Sequence, residues 1–403
     1  MIDPERRSRE EQTSPWQDLD LFQPSEEHAL FARTLREFAE REVEPQAAAH
    51  DREERFNHAL FRRAGELGLL GVTIPERFGG SGLDAVAAVQ LMEVLSTSDP
   101  GFTLAVLAHS ILFGQNLAVN GNDEQRARIL PKICSGEWIG GLCMTEPSVG
   151  TDVLAMRTTA TRHGDGYRLS GTKTFITNGG IDADTLGDVF IVYAATGERE
   201  ISSFLVEKGM PGFRLGQKWS DKLGMRASFT AELVFDEVPV PLASRLGKEG
   251  EGTLHMMRNL EIERLTLAAQ GVGIAERCLR VMVGYANERK TFGVPIREHG
   301  QIQRHIAESF AEYRAAATLV YDVARRFDPE SAGQRVDADA AKLFAAQAGK
   351  RAADAAMQVL GGYGYMGEYV VSRLWRDAKL IEIGGGTLEA HHRNLTRDLC
   401  RRG

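Results

Sequence analysis

A single carboxylate interrupts an apolar helical pattern near residue 260. Glu263 follows Met256 by seven residues and precedes Leu267 by four, so the three lie on one face of a helix. Leu260 belongs to the same face, whereas Glu261 falls about 200° away around the axis. A carboxylate in this setting forms a buried ion pair with a nearby arginine, or it serves as a general base whose pKa is raised by loss of hydration. The pattern predicts that Glu263 is the polar residue of a buried face.

Two segments rich in glycine and hydroxyl side chains could bind a polar ligand. They are CMTEPSVGTD (143–152) and YRLSGTKTFITNGG (167–180). Thr and Pro favour turns and Phe and Thr favour strands, so each segment is also typical of ordinary structure. A ring system with a polar edge, however, needs the backbone N–H donors and small hydroxyls that such segments offer.

The pattern of hydrophobic residues predicts how these segments are positioned. Residues 1–20 are polar and are expected to form a mobile tail, and helical spacing over residues 21–139 predicts an N-terminal helical domain. Alternation and frequent turns over residues 140–248 predict a compact β domain. Ala-rich helical segments return over residues 249–403 and predict a helical bundle. This order argues against a βαβ dinucleotide-binding fold.

Composition limits the classes of partner. The chain has 403 residues, 43% of them hydrophobic, and a formal net charge of −8 from 48 basic and 56 acidic side chains. A substantial core is expected, without attraction to nucleic acid or an anionic membrane. The cysteines, at 134, 143, 278 and 400, lack the spacing of metal sites or disulfide frameworks. A polar N-terminus and no apparent run of about 18 apolar residues predict a cytoplasmic protein that does not span a membrane.

Six segments in order resemble those of acyl-CoA dehydrogenases. CMTEPSVGTD resembles the TEPxxGSD signature of that family, and the segment at 167–180 resembles its second flavin-contacting segment. The other four are FDEVPVP (235–241), ERKTFGVPI (288–296), QVLGGYGY (358–365) and RDAKLIEIGGGTLE (376–389). The resemblance implies an α+β multidomain fold with an N-terminal helical domain, a central β-barrel-like domain and a C-terminal four-helix bundle. It also implies an FAD between the β domain and the bundle of a homotetramer, a dimer of dimers.

The resemblance further implies which residues contact FAD. Phe175 would cover the outer face of the flavin and Thr177 would hydrogen bond near N5, while Arg289 would reach the FAD of a neighbouring subunit. The full implied set is Met144, Thr145, Gly150, Thr151, Phe175, Thr177, Arg289, Phe292, Gln358, Gly361, Gly362, Thr387 and Glu389. Thr151 replaces the usual Ser, and Gln301 is an uncertain substitute for a Gln that relatives carry at position 300.

The resemblance separates two positions for the base. Many family members carry it as the Glu of a YEGT motif, where this chain has Gly385. An isovaleryl-CoA-type subgroup carries it in LERL, which residues 262–265 resemble as IERL, so Glu263 would be the base. The Gly385 N–H, together with a flavin ribityl hydroxyl, would then hold the thioester carbonyl. The implied substrate contacts are Thr151, Leu260, Arg264, Gly385 and Gly386. His391 and His392 are expected to be exposed surface residues.

The expected reaction is FAD-dependent α,β-dehydrogenation of a short or branched acyl-CoA to a trans-2-enoyl-CoA, with an electron-transfer flavoprotein as acceptor. The segment STSDPG (96–101) lacks the arginine that binds a distal carboxylate in glutaryl-type relatives, which disfavours a diacid. Two alternatives stay open. One is the same chemistry on an acyl group bound to a carrier protein, and the other is a flavin monooxygenase, against which Glu263 argues.

Overall fold

The computed structural model describes residues 20–182, 184–329 and 335–402. The predicted tail at 1–20 lies outside the described residues except for its last residue. Within the described residues the chain passes from helices through one β-sheet to a second set of helices. This architecture confirms the α+β multidomain prediction.

Helices form the N-terminal part of the described chain. They are α1 (Glu26–Phe38), α2 (Glu44–Glu53), α3 (His58–Glu66), α4 (Ala85–Ser96), α5 (Pro100–Leu107), α6 (Asn116–Asn120) and α7 (Asp123–Cys134). Capping side chains explain where several of them begin. Asp84 accepts a hydrogen bond from the Ala87 N–H at the start of α4, and Asn122 forms a capping box with Gln125 at the start of α7.

One segment of this part is apolar enough to cross a membrane. Pro100–Asn120 comprises α5, a π-helical segment (Ala108–Gln115) and α6, and it has the length and composition of a membrane span. The expectation that the chain contains no such run is therefore wrong. However, 78% of its most apolar window is buried inside the protein. Residues such as Phe102, Ile111 and Phe113 pack into the interior, which is typical of a core helix.

A sheet separates the two sets of helices. Its strands are β1 (Gly140–Cys143), β2 (Thr159–His163), β3 (Gly166–Thr177), β4 (Val189–Gly197), β5 (Glu200–Glu207), β6 (Phe213–Lys218), β7 (Thr230–Pro241) and β8 (Arg245–Leu246). The order is β6-β7-β3-β2-β4-β5-β8, and β1 pairs in parallel with β4. In the described residues β6 and β8 end this order without pairing with each other, so the sheet is open.

The C-terminal part is built around a long helix. Its elements are α8 (Gly252–Glu288), the short strands β9 (Lys290–Thr291) and β10 (Val294–Pro295), α9 (Gly300–Arg325), α10 (Arg335–Leu360), α11 (Val370–Ile381) and α12 (Leu388–Arg402). Small residues let α8 and α10 approach closely. A Cβ added at Gly271 would lie 2.7 Å from the Ala345 carbonyl oxygen, and one at Gly349 would lie 2.6 Å from the Gly271 oxygen.

Burial of α8 extends around its circumference. Every residue from 261 to 275 is buried, because α4 and α10 pack against it on different sides. Glu263 is buried as predicted, but it is not the odd polar residue of its face, because Gln270 follows it by seven residues and is buried too. Glu261 is buried as well, and so are Arg264, Thr266 and Gln270.

Candidate active site

Glu263 is buried on α8 and forms no ion pair with any residue that the structure describes. Its side chain belongs to a residue only 8% exposed, and Oε2 is buried with no hydrogen-bond partner among the described residues. The neighbouring arginine does not neutralise it, because Arg264 forms an ion pair with Asp339 Oδ1 instead, at 3.0 Å. Burial raises the pKa of Glu263 to about 7, although Arg264 and Lys342 act to lower it. This is the electrostatic setting that a general base for a carbon acid requires.

A glycine turn faces Glu263. Gly385 and Gly386 have φ of 64° and 104°, which are left-handed values that favour glycine. A Cβ added at Gly385 would lie 2.3 Å from Leu267 Cδ1 and 3.5 Å from Glu263 Oε1. At Gly384 it would make only ordinary contacts, the nearest to Leu380 O at 3.5 Å. The room that the three glycines leave for a ligand therefore lies at Gly384, while Glu263 and Leu267 occupy the space beside Gly385.

The Gly385 N–H is available to a ligand. It donates to no acceptor among the described residues, whereas the preceding Gly384 N–H donates to Leu380 O at 2.7 Å. The turn ends where α12 begins, and there the Thr387 hydroxyl accepts a hydrogen bond from the Ala390 N–H at 3.2 Å. Glu389 lies exposed in the first turn of α12. A free N–H beside a buried carboxylate can hold a carbonyl oxygen while the carboxylate removes an adjacent proton.

His391 does not lie on the surface. The prediction that both histidines are exposed is wrong for His391, which is 0% exposed, and correct for His392. His391 faces inward because its two ring nitrogens contact Asp339 and the Gly386 carbonyl. No spacing in the sequence indicates this contact, since Asp339 belongs to a different helix.

The predicted flavin-contacting residues of the β domain lie near the ends of β1 and β3. Phe175 is 63% exposed with a φ of 57°, at a register shift in the pairing of β3 with β7. Its ring lies 5.3 Å from that of Trp219. The Thr145 and Thr177 hydroxyls form no hydrogen bond with described residues, and Gly150 and Thr151 are exposed.

A shared hydrophobic cluster links this edge to the helix of Glu263. Met144, at the end of β1, and Leu260, one turn before Glu263, both pack against a cluster that contains Met256 and Tyr193. The carboxylate of Glu263 also helps to raise the pKa of Tyr193, behind the dominant effect of burial. The structure therefore brings Glu263, Leu260 and Met144 into one region.

A second group of predicted residues lies far from Glu263 in the same chain. Arg289 follows Glu263 by 26 residues, or about 40 Å of helix. Phe292, in the β9–β10 hairpin, is 97% exposed, and a Cβ at Gly361 or Gly362 would contact nothing within 4 Å. Arg289, Gly361 and Gly362 line an open cavity of about 600 Å³. Gln358 is exposed nearby on α10, and Gln301 is exposed on the first turn of α9.

Comparison with family models assigns the chain. The descriptions that match are Acyl-CoA dehydrogenase, N-terminal domain, over residues 25–137; middle domain, over 141–238; and C-terminal domain, over 250–400. The chain belongs to the acyl-CoA dehydrogenase family.

Individual members of the family are similar to this chain in sequence and in fold along nearly its whole length. This acyl-CoA dehydrogenase is 40% identical over 387 residues to the mitochondrial isovaleryl-CoA dehydrogenase of Oryza sativa subsp. japonica, covering 94% of this chain and 92% of the relative. Its fold matches butyryl-CoA dehydrogenase from Megasphaera elsdenii with a TM-score of 0.88 at 34% identity, over 95% of this chain and 98% of the other. A prolyl acyl carrier protein oxidase matches with a TM-score of 0.87 at 30% identity, over 93% and 99%.

An acyl-CoA dehydrogenase is a flavoprotein, and the β-domain edge fits a flavin ring. Phe175 is an exposed aromatic side chain, the Thr145 and Thr177 hydroxyls have no hydrogen-bond partner among the described residues, and Gly150 leaves open space. A flat ring with a polar rim would cover Phe175 and hydrogen bond with the two threonine hydroxyls. These unused groups are what a bound flavin would satisfy.

A buried ion pair that shapes this edge was missed from the sequence. Lys173 donates to Glu146 Oε1 at 2.9 Å and to the Met144 carbonyl at 3.0 Å. Glu146 also accepts from the Arg157 N–H at 2.7 Å and from the Thr158 N–H at 2.9 Å. The pair joins the TEP segment to β3, so it fixes the backbone of Met144 and Thr145. The sequence contained one indication of this ion pair, namely a charged residue inside each motif: a Glu in TEPSVG and a Lys in GTKTF.

Proposed function

We propose that this acyl-CoA dehydrogenase oxidises a short or branched acyl-CoA to the trans-2-enoyl-CoA, with Glu263 as the base and FAD as the hydride acceptor. The observation that carries the proposal is the environment of Glu263. Its carboxylate is buried, has no ion pair among the described residues, and lies against the Gly385 turn. The role of a base for a thioester held by the Gly385 N–H accounts for a buried acid without a partner among the described residues.

Different residues of the chain remove the α-proton and stabilise the charge that forms on the thioester. Glu263 takes the α-proton, and the fraction of it that is ionised grows as the pH passes about 7, the value to which burial raises its pKa. The Gly385 N–H donates to the thioester carbonyl oxygen, which gains negative charge as the proton leaves. Exclusion of water by Leu260 and Leu267 strengthens both interactions.

FAD supplies the acceptor for the β-hydride when it is bound. Phe175 would cover the ring, and the Thr145 and Thr177 hydroxyls would hydrogen bond along its polar edge. The residues that would hold FAD within the subunit are Met144, Thr145, Gly150, Thr151, Phe175, Thr177, Thr387 and Glu389. Those that would contact the FAD of a neighbouring subunit in a homotetramer are Arg289, Phe292, Gln358, Gly361 and Gly362. An electron-transfer flavoprotein would then accept the electrons.

The glycine turn supports a short or branched acyl group as the substrate. Gly384 leaves room where a side chain would meet only Leu380 at ordinary distance, so a methyl branch near the reacting carbons can be accommodated. The 40% identity to an isovaleryl-CoA dehydrogenase supports the same substrate class.

The test is Glu263→Gln, which keeps the shape of the side chain and removes its basicity. We expect the variant to retain FAD and to lose reduction of the flavin by isovaleryl-CoA by about 10³-fold or more, measured as anaerobic bleaching. Glu261→Gln, at a second buried carboxylate on the same helix, is the matched control and should bleach at nearly the wild-type rate. Wild-type bleaching in Glu263→Gln would remove Glu263 from the role of base.

Similarity to a prolyl acyl carrier protein oxidase supports one second candidate, the same chemistry on a carrier-bound acyl group. Rates of flavin reduction by isovaleryl-CoA and by isovaleryl attached to an acyl carrier protein separate the two. We expect the CoA thioester to react faster. A faster reaction with the carrier-bound group would reassign the substrate while leaving the role of Glu263 unchanged.

A further inference from the structure

A cluster of buried polar side chains lies directly behind the glycine turn. Lys342 of α10 is fully buried, and its Nζ donates to the Gly386 carbonyl oxygen at 2.7 Å. The His391 Nε2 contacts the same oxygen at 3.0 Å. One carbonyl therefore accepts two hydrogen bonds from two different helices, α10 and α12, at the residue that follows Gly385.

The hydrogen positions on His391 follow from its partners. A backbone oxygen can only accept, so His391 Nε2 carries a hydrogen. The other ring nitrogen, Nδ1, lies 2.7 Å from Asp339 Oδ1, and that oxygen also forms an ion pair with Arg264 at 3.0 Å. The imidazole is therefore held from both sides, with one contact at each ring nitrogen. None of these atoms contacts the carboxylate of Glu263 by hydrogen bond.

The turn needs such support. Gly385 and Gly386 both adopt left-handed φ values, and glycine samples many other conformations at little cost. The direction of the Gly385 N–H depends on these dihedral angles, so a loose turn would aim the donor poorly. The two hydrogen bonds to the Gly386 carbonyl restrict the conformation of the turn.

We propose that His391 and Lys342 are positioning residues that lock the glycine turn by donating to the Gly386 carbonyl, and so aim the Gly385 N–H at the thioester carbonyl. Asp339 orients the His391 ring for this purpose, and Arg264 in turn anchors Asp339. This inference rests on the proposed function, because it assumes that a thioester binds at the turn. It assigns the buried histidine, lysine and aspartate a role in recognising one atom of the substrate.

The test compares two ligands that differ at the carbonyl. To prevent turnover, all binding is measured in the Glu263→Gln holoenzyme, which is the parent protein of this test. This parent should bind an acyl-CoA thioester more tightly than the S-alkyl-CoA thioether of equal length, which lacks the carbonyl, as measured by the change in the flavin absorption spectrum. We expect His391→Leu to reduce this preference roughly tenfold, because a hydrogen bond in a buried site is lost or misaligned, with little change in thioether affinity.

Conservative variants separate positioning from general destabilisation. His391→Gln keeps an N–H that can donate to Gly386, so it should restore most of the thioester preference, whereas Lys342→Met should lose it as His391→Leu does. His392→Leu, at the exposed neighbour, is the matched control and should show the same thioester preference as the Glu263→Gln parent.

The outcomes distinguish two kinds of failure. An equal loss of thioester and thioether affinity in His391→Leu would mean that His391 only maintains the fold. A full thioester preference in both His391→Leu and Lys342→Met would also overturn the inference. No preference in the parent protein would instead contradict the proposed function, because the thioester carbonyl would not bind at the turn.

Discussion

The carboxyl group of Glu263 is subject to opposing influences on its pKa. Burial raises the value to about 7, while the positive charges of Arg264 and Lys342 lower it. Burial is the largest of these influences, and the charge of Arg264 is balanced in part by its ion pair with Asp339. The result is an acid that is ionised in part near neutral pH and still has enough proton affinity to take a proton from carbon.

This raised pKa also predicts a pH-dependent cost in stability. Folding raises the pKa of Glu263 from 4.5 to about 7. As the pH rises through about 7, wild type therefore loses stability relative to a variant with a neutral side chain at position 263. Between pH 5 and pH 8 we expect the free energy of unfolding of Glu263→Gln to increase relative to that of wild type by roughly 2–3 kcal/mol. Urea unfolding with excess FAD at both pH values measures it. Glu288→Gln, an exposed change on the same helix, is the control, and an equal pH response in both variants would contradict the prediction.

Among single residues, the sequence predicted the burial of Glu263 but not the burial of the polar residues near it. The spacing of Glu263 with Met256 and Leu267 indicated a buried position, and the glycine at 385 removed the competing one. The burial of His391 could not be predicted, because its partner Asp339 is 52 residues away in the chain and a lone histidine carries no periodic signal. The burial of Glu261 was missed because periodicity describes one face, whereas α8 is covered on several.

Periodicity was most informative for the helices and strands themselves. Alternation in the segments that became β3, β4 and β5 indicated strands, and the Ala-rich runs indicated the helices of the C-terminal part. The parallel pairing of β1 with β4 and the register shift at Phe175 were not predictable, because they depend on strands distant in sequence. Nor did composition reveal that the apolar run Pro100–Asn120 is a core helix, since burial and membrane insertion demand the same residues.

The crossing of α8 and α10 gives a prediction for two glycines on one helix. A Cβ at Gly271 would lie 2.7 Å from a backbone oxygen of α10, whereas one at Gly284 would contact nothing within 4 Å. We expect Gly271→Ala to lower the free energy of unfolding by about 2 kcal/mol, because the helices must separate. Gly284→Ala should raise it by up to about 1 kcal/mol through helix propensity. Urea unfolding measures both, and equal effects at the two sites would show that the close crossing does not matter.

In the whole molecule, the proposed cofactor contacts form two groups on one chain. Glu263 and the β-domain edge form one, and Arg289 with the exposed Phe292 forms the other, about 40 Å away along the helix. A single subunit cannot apply both groups to one FAD at this separation. The proposed homotetramer resolves this separation if each subunit completes the cofactor site of a neighbour.

Hybrid oligomers test that arrangement. Glu263→Gln and Arg289→Glu should each be nearly inactive as homo-oligomers, the first without its base and the second with weakened FAD binding. Co-expressed with separate tags and purified through both, the hybrid should regain activity, because one site then combines an intact base with an intact arginine from the partner. Lys290→Glu, at the adjacent residue, should retain FAD and is the control for charge. A hybrid as inactive as its parents would mean that Arg289 serves the cofactor of its own subunit.

The contact between Gly385 and Glu263 also restricts how the base can change position during evolution. A Cβ at residue 385 would stand 3.5 Å from Glu263 Oε1 and within 2.3 Å of Leu267 Cδ1. Gly385→Glu alone would therefore crowd two acids into one buried volume, where their like charges raise the pKa of one of them. Loss of Glu263 alone leaves no acid at either position. We therefore expect the effects of substitutions at positions 263, 267 and 385 to depend on one another, and these positions to change together within a lineage.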